Sequence, residues 1–117
     1  MSPFRALAAA IVLITTPALA GVVGGPFTVK GTVKSMDVAY YYALAFERGK
    51  VATLHAESTN GEDIDCYVYA PNGDVLAVDT TPASTCDLHW KPTGSGKVTV
   101  AVWNMSRVAA TYTLTTN

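Results

Sequence analysis

The residues able to do chemistry in this 117-residue chain include two histidines, two cysteines and nine acids. His55 and His89 are the candidates for acid–base catalysis near neutral pH. A hydrolytic site also needs a nucleophile and an orienting acid, but the sequence has no nucleophile elbow and no His-Glu-x-x-His motif. Both histidines occupy outward positions on predicted strands, so we predict two solvated histidines and no enzyme. A hydrolase would need a pocket beside one of them.

Cys66 and Cys86 are the two cysteines, and about twenty residues separate them. In a small secreted domain such a pair predicts one disulfide. A bridge of this span contributes about 3 kcal/mol in the chain-entropy estimate. The alternatives are two buried free thiols or two cysteine ligands of a metal ion. A metal site would need further ligands, and the sequence offers only His55 and His89.

Three acids, Glu62, Asp63 and Asp65, cluster where a polar loop meets a predicted strand. Calcium takes six to eight oxygen ligands, which clustered carboxylates and loop carbonyls can supply. Asp63 and Asp65 share strand parity, so their carboxylates can point the same way. The alternative is that Asp63 caps the loop through backbone N–H groups while Asp65 is a solvated strand residue.

Aromatic residues alternate with apolar ones in several segments. If Cys66 and Val68 face inward, Tyr67 and Tyr69 face outward, and Trp103 faces outward by the same argument. Tyr41 faces outward if Tyr40 and Tyr42 belong to the core. Exposed aromatic rings can stack on sugars or anchor a protein partner; the alternative is cross-strand packing that only covers the sheet.

Short strands with turn signals between them must position these residues. The alternation has period two throughout, which is typical of a β-sandwich or barrel. Pro71-Asn72-Gly73-Asp74 is a strong hairpin signal. The predicted strands are Phe27–Lys34, Tyr40–Phe46, Val51–Glu57, Ile64–Ala70, Val75–Thr80, Thr85–Trp90, Lys97–Asn104 and Ala110–Thr116. The fold class predicted is therefore all-β, a single sandwich of about eight antiparallel strands.

The first twenty residues have the composition of a cleavable signal peptide. Arg5 precedes the apolar run Ala6–Thr16, and Pro17 and Ala18-Leu19-Ala20 follow it. The run is too short for a membrane anchor, which needs about 20 apolar residues. We expect residues 21–117 to form one exported domain, periplasmic or extracellular, with no membrane anchor after cleavage.

The charge distribution bears on possible partners. The chain has eight basic and nine acidic residues, and its Lys and Arg residues form no run. Nucleic-acid binding leaves a basic patch or stripe, so we predict no nucleic-acid partner.

The segment from Tyr42 to Thr116 resembles the bacterial pre-peptidase C-terminal domain. The motif that carries the resemblance is DIDCYVYAPNG, Asp63–Gly73, preceded by the turn FERG, Phe46–Gly49. The strand VTVAV, Val98–Val102, and the terminal YTL, Tyr112–Leu114, follow in the family's order. Cys66 and Lys97 depart from the pattern, and no peptidase is attached in this chain.

The resemblance implies a jelly-roll-like sandwich without catalytic activity, as in domains appended to secreted proteases. Some members assist secretion, and others bind calcium, collagen or polysaccharide. We therefore expect a non-catalytic exported binding or accessory module for a protein or polysaccharide ligand, with calcium as its one candidate cofactor. The alternative is a small secreted inhibitor or stress protein that blocks another enzyme with the loop Asn104–Arg107.

Overall fold

A computed structural model describes residues 26–117 as eight antiparallel strands, which confirms the predicted all-β class. The predicted signal peptide, residues 1–20, lies outside the described residues. Within residues 26–117, no helix has the length and hydropathy needed to cross a membrane. The strands are β1 (Phe27–Val33), β2 (Val38–Ala45), β3 (Ala52–Ser58), β4 (Ile64–Tyr69), β5 (Val75–Asp79), β6 (Thr85–Trp90), β7 (Lys97–Asn104) and β8 (Ala110–Thr116).

The strands form two four-stranded sheets packed face to face. The first sheet has the order β1-β8-β3-β6 and the second the order β2-β7-β4-β5. The β4–β5 hairpin stays within one sheet, and every other connection between consecutive strands crosses to the opposite sheet. This is the strand order of an eight-stranded jelly roll, so the predicted sandwich is confirmed.

Alternate residues of the strands fill the space between the sheets, as period-two alternation requires. The register pairs Phe27 with Thr116 at one end of β1–β8 and Val33 with Ala110 at the other. In the second sheet, β7 lies between β2 and β4. The larger fully buried side chains are those of Phe46, Leu54, Ile64, Cys66, Val68, Cys86, Val100, Val102, Asn104, Tyr112 and Leu114.

The predicted disulfide is present and joins the two sheets. Cys66 lies on β4 and Cys86 on β6, with Cα atoms 6.1 Å apart and both side chains fully buried. This separation is within the usual range for a disulfide. The bridge therefore restrains the two sheets relative to each other as well as closing the chain segment between the cysteines.

A second link between the sheets is polar. Tyr41 on β2 and Tyr112 on β8 share a hydrogen bond between their hydroxyl groups. Gly31 lies opposite Tyr112 in the β1–β8 register, and a Cβ there would collide with the Tyr112 phenol. Burial raises the pKa of both tyrosines, so the pair stays neutral and keeps its hydrogen bond at physiological pH.

The prediction that Tyr41 faces outward is wrong, and a β-bulge explains why. The β2–β7 register shifts between Tyr41 and Leu44, and Ala43 adopts a positive φ of 58°. One extra residue reverses the alternation. Tyr41 and Leu44 consequently both pack against the core, while Tyr40 and Tyr42 face solvent.

The end of the sandwich that carries the β1–β2 and β7–β8 connections is organised by one amide side chain. Asn104 Nδ2 donates to the carbonyl oxygens of Val33 (3.1 Å), Lys34 (3.1 Å) and Val108 (2.7 Å). Its Oδ1 accepts from Ser106 N at 2.9 Å. Asn104 therefore holds both connections in place, and we refer to this end, residues 34–37 and 105–109, as the loop tip.

Gly96, just before β7, offers a test of the backbone geometry. It has φ +76°, and a Cβ would overlap the main-chain oxygen of Phe46. Gly94 has φ +56° with no neighbour within 4 Å, so it is a matched control. We expect Gly96→Ala to lower the free energy of unfolding by about 2–3 kcal/mol, from left-handed strain plus overlap. Gly94→Ala should lower it by about 1 kcal/mol, from strain alone.

Urea denaturation of both variants measures this difference. Equal losses for Gly94→Ala and Gly96→Ala would show that the Phe46 contact has no energetic consequence.

Candidate functional site

The outer face of the second sheet carries most of the exposed aromatic residues of the described chain. The β2–β7–β4 register places Tyr40, Ala101 and Tyr67 in one row across the strands, and Trp103 and Asp65 in the next. Five rings therefore share one surface, which we call the aromatic face: Tyr40, Tyr42, Tyr67, Tyr69 and Trp103.

The rings of the aromatic face contact one another in pairs along the strands. Tyr40 and Tyr42 have ring centroids 5.6 Å apart, and Tyr67 and Tyr69 have parallel rings with centroids 5.7 Å apart. Tyr42 remains 69% exposed and Tyr40 45%. Ala101, in the row between Tyr40 and Tyr67, is fully buried, so the rings cover the middle of the sheet.

The two tyrosine pairs belong to one surface. Burial raises the pKa of Tyr40 first, and the neighbouring phenols of Tyr42 and Tyr69 and the Asp37 carboxylate raise it further. In the register, Tyr40 on β2 and Tyr67 on β4 both lie beside Ala101 of β7, so the two pairs share one face of the sheet. Val75 and Val78 on the edge strand β5 are about half exposed and extend the apolar area beyond Tyr67 and Tyr69.

Tyr67, Tyr69 and Trp103 lie on the outer face as the alternation predicted. An outward Tyr41 requires Tyr40 and Tyr42 in the core, and the bulge at Ala43 places these two on the surface instead. Tyr41, the other proposed ligand-binding residue, lies inside the sandwich. Its neighbours therefore take its place in the aromatic face.

Asp65 lies among these rings and differs from the solvated residue that the alternative interpretation expected. It is 9% exposed, and its Oδ1 is buried with no hydrogen-bond partner. In the β4–β7 register it lies directly opposite Trp103. Burial raises the pKa of the carboxyl group, and the negative charges of Asp63 and Asp79 raise it further.

Of the other two acids of the predicted calcium cluster, Asp63 has a structural role, and Glu62 is held through its main chain. Asp63 Oδ1 accepts from Ala83 N at 3.2 Å, and its main-chain oxygen accepts from Met105 N at 3.0 Å. Glu62 N donates to Ser58 Oγ at 2.9 Å. Over residues 26–117, no three His, Cys, Asp or Glu side chains come together as a metal-binding group. Asp63 thus caps the loop, and calcium binding stays a prediction.

Asp79 is an acid that the sequence did not single out. It lies at the end of β5, where its carboxylate accepts from Thr81 N, Thr81 Oγ1 and Asp87 N. The hydrogen bond from the Thr81 hydroxyl is the main cause of its lowered pKa. The Asp-x-Thr spacing signals this local turn, whereas the contact with Asp87 depends on tertiary structure.

The two histidines lie on the opposite outer face, that of the first sheet. His55 Nδ1 donates to Asp87 Oδ1 at 2.6 Å, and this hydrogen bond is the main cause of its raised pKa. His55 and His89 border an open groove of about 460 Å³, lined also by Thr53, Leu54, Asp87, Leu88, Thr115, Thr116 and Asn117. Among the described residues that line the groove there is no serine or cysteine, so these residues do not form the Ser-His or Cys-His pair of a hydrolase.

Comparison with known proteins gives structural neighbours but no sequence relatives. No family model and no curated protein sequence matches the chain. The pre-peptidase C-terminal domain of a Bacillus anthracis collagenase has 17% identity and a TM-score of 0.60, covering 89% of this chain and 100% of that one.

Two further solved structures share the fold. PliG, a periplasmic inhibitor of g-type lysozyme from Aeromonas hydrophila, has 16% identity and a TM-score of 0.55. The Yersinia pseudotuberculosis-derived mitogen has 16% identity and a TM-score of 0.56. Each alignment covers 79% of this chain and 84% of the other. At these identities the comparisons establish that the chain shares a β-sandwich fold with the three proteins.

Proposed function

We propose that this protein is an exported, non-catalytic binding module of the pre-peptidase C-terminal type that holds its ligand on the aromatic face. The observation that carries the proposal is the position of five aromatic side chains on one outer sheet surface. Large flat rings supply much of the binding energy at interfaces and stack well on sugar rings. The opposite sheet presents mainly threonine and charged side chains and has no comparable group of rings.

A binding role is supported by the neighbours as well as by the site. One neighbour is an enzyme inhibitor and another is a domain of a collagenase. Export is supported by the Cys66–Cys86 disulfide, since such bonds persist in oxidising compartments. The ligand class we favour is a protein, and a polysaccharide is the alternative that the same rings can serve.

The test of the aromatic face is retention on immobilised ligands. Candidate supports are g-type lysozyme and fibrillar collagen for proteins, and peptidoglycan, chitin and cellulose for polysaccharides. We expect wild-type protein to be retained on at least one support and Tyr67→Ala/Tyr69→Ala to bind it at least tenfold more weakly, about 1.4 kcal/mol or more.

The matched control is Thr113→Ala/Thr115→Ala, a pair at the same spacing on the outer face of the other sheet. The control should bind as wild type. Equal retention of both double variants would exclude the aromatic face as the binding surface.

A second candidate function, inhibition of another enzyme, is favoured by the loop tip. Met36 is 63% exposed and Met105 44%, and Ser35 Oγ donates to Ser106 O at 2.7 Å, which links the two connections. Asn104, one residue of the predicted inhibitory loop, is fully buried, so it supports the loop and cannot contact a partner. Met105 and Arg107 remain exposed.

An assay of g-type lysozyme inhibition tests this second candidate. Met105→Asp should abolish the inhibition, whereas Tyr67→Ala/Tyr69→Ala should not.

Calcium is a further part of the proposal, at Asp63 and Asp65 with Glu62 beside them. The proposal rests on the sequence, where three acids fall between positions 62 and 65 and carboxylate oxygens are ligands that calcium takes. Calcium at 100 times its Kd would raise the free energy of unfolding by about 2.7 kcal/mol. This corresponds to a rise of roughly 10–20 °C in the melting temperature. Thermal melts with calcium and with chelator measure the shift, and Asp65→Asn should abolish it. Identical melts in both conditions would refute calcium binding.

A further inference from the structure

Within residues 26–117, Asp65 is a buried acid that has a carboxylate oxygen without a hydrogen-bond partner. It is 9% exposed and Oδ1 has no hydrogen bond. Among residues 26–117, the ion pairs are those of Lys50 and His55, and neither involves Asp65. The charged groups that act on it are two further acids, Asp63 and Asp79. The surroundings of Asp65 are therefore negative, and they lack a cation.

The carboxylate accepts hydrogen bonds and, when ionised, cannot donate them. Burying the Asp65 oxygen without a donor is unfavourable for folding. A ligand could supply the missing donor. A charged donor makes a shorter and stronger hydrogen bond to a carboxylate than a neutral donor does, so a cationic donor is preferred.

The aromatic neighbours of Asp65 favour the same kind of group. Trp103 is directly opposite on β7, at a separation that in antiparallel sheets places Cβ atoms about 4.5–5.5 Å apart. Tyr67 follows two residues along β4 on the same face. Indole and phenol rings attract cations to their faces, indole most strongly. A carboxylate beside such rings is complementary to a cation that also has a flat surface.

We propose that Asp65, Trp103 and Tyr67 form a subsite for a cationic side chain of a protein partner, with arginine preferred to lysine. The planar guanidinium can donate two hydrogen bonds to a carboxylate while stacking on an aromatic ring, and it is more weakly hydrated than an ammonium group. The subsite rests on the proposed function, since it lies within the aromatic face, and it specifies the partner as a protein that presents an exposed arginine.

The experiment uses the oxidised protein, labelled with ¹⁵N, and three blocked tripeptides with arginine, lysine or citrulline between two glycines. Citrulline has nearly the shape of arginine but no charge. We expect the arginine peptide to shift the Trp103 indole N–H resonance saturably, with a Kd in the millimolar range, about −4 kcal/mol. The lysine peptide should bind several-fold more weakly and the citrulline peptide at least tenfold more weakly.

Two variants distinguish the subsite from general attraction between charges. Asp65→Asn should weaken arginine binding at least tenfold while the rest of the spectrum shows a folded domain. Asp74→Asn, which removes an exposed acid of the β4–β5 hairpin, should bind as wild type.

Absence of a shift at Trp103, equal binding of citrulline and arginine, or unchanged binding by Asp65→Asn would overturn the subsite. These results would leave the aromatic face open as a binding surface, because the retention test compares Tyr67→Ala/Tyr69→Ala with Thr113→Ala/Thr115→Ala, whereas the subsite is tested by Asp65→Asn.

Discussion

Replacing Asn104 by alanine is expected to lower the free energy of unfolding by about 4 kcal/mol, the largest effect of any substitution considered. The buried amide has four hydrogen-bond partners: its two N–H hydrogens are shared among the carbonyl oxygens of Val33, Lys34 and Val108, and its oxygen accepts from Ser106 N. Each bond contributes about 1 kcal/mol net, and a buried group left without its partner costs about 1–3 kcal/mol. Alanine would leave the Val33, Lys34 and Val108 oxygens without this donor.

Chemical denaturation of Asn104→Ala and of a control, Asn72→Ala, measures the effect. Asn72 is also an asparagine that bonds a main-chain N–H, that of Asp74 at 3.0 Å, but it is exposed in a hairpin. Its replacement should cost about 1 kcal/mol or less. If Asn104→Ala costs no more than Asn72→Ala, the two connections of the loop tip are held by other contacts.

Removing the disulfide should have the next largest effect. We expect Cys66→Ala/Cys86→Ala to lower the free energy of unfolding by about 3 kcal/mol, because the bridge closes a segment of about twenty residues in the unfolded chain. For a domain of this size the melting temperature falls by about 4–8 °C per kcal/mol, so the loss corresponds to about 12–24 °C. Differential scanning calorimetry of the double variant and of oxidised wild-type protein gives the comparison.

Reduced wild-type protein is the control that separates the covalent link from packing. It keeps both sulfur atoms in the core and should melt close to the double variant. A double variant that melts within about 4 °C of the oxidised protein would mean that the remaining core holds the two sheets together without the bridge.

Alternation in the sequence predicted the strands and most of the inner face. On β4 and β7, residues such as Val68 and Val100 alternate strictly with outward ones, and each lies fully buried in the structure. The cysteines followed the same parity, which placed both sulfurs inside. These features could be predicted because a side chain's face depends on local backbone geometry alone.

The rest depended on information that alternation does not carry. Ala43 has no side-chain property that marks a bulge, so the reversal that buries Tyr41 and exposes Tyr40 and Tyr42 could not be foreseen. The alternative that placed Asp65 in solvent did not anticipate its burial, because the pairing that sets Trp103 opposite it, β4 with β7, is a long-range feature of the topology. The role of Asn104 likewise depends on carbonyl groups about seventy residues away.

The pairing of β1 with β8 sets the order in which the domain can assemble. β1 is an edge strand whose hydrogen-bonded partner is the last strand of the fold, with Phe27 opposite Thr116. A contact across nearly the whole described chain carries a high entropic cost of closure and is typical of slow folding. A chain delivered from its N-terminus would therefore hold β1 without its β8 partner until β8 arrived, and the first sheet could close only then.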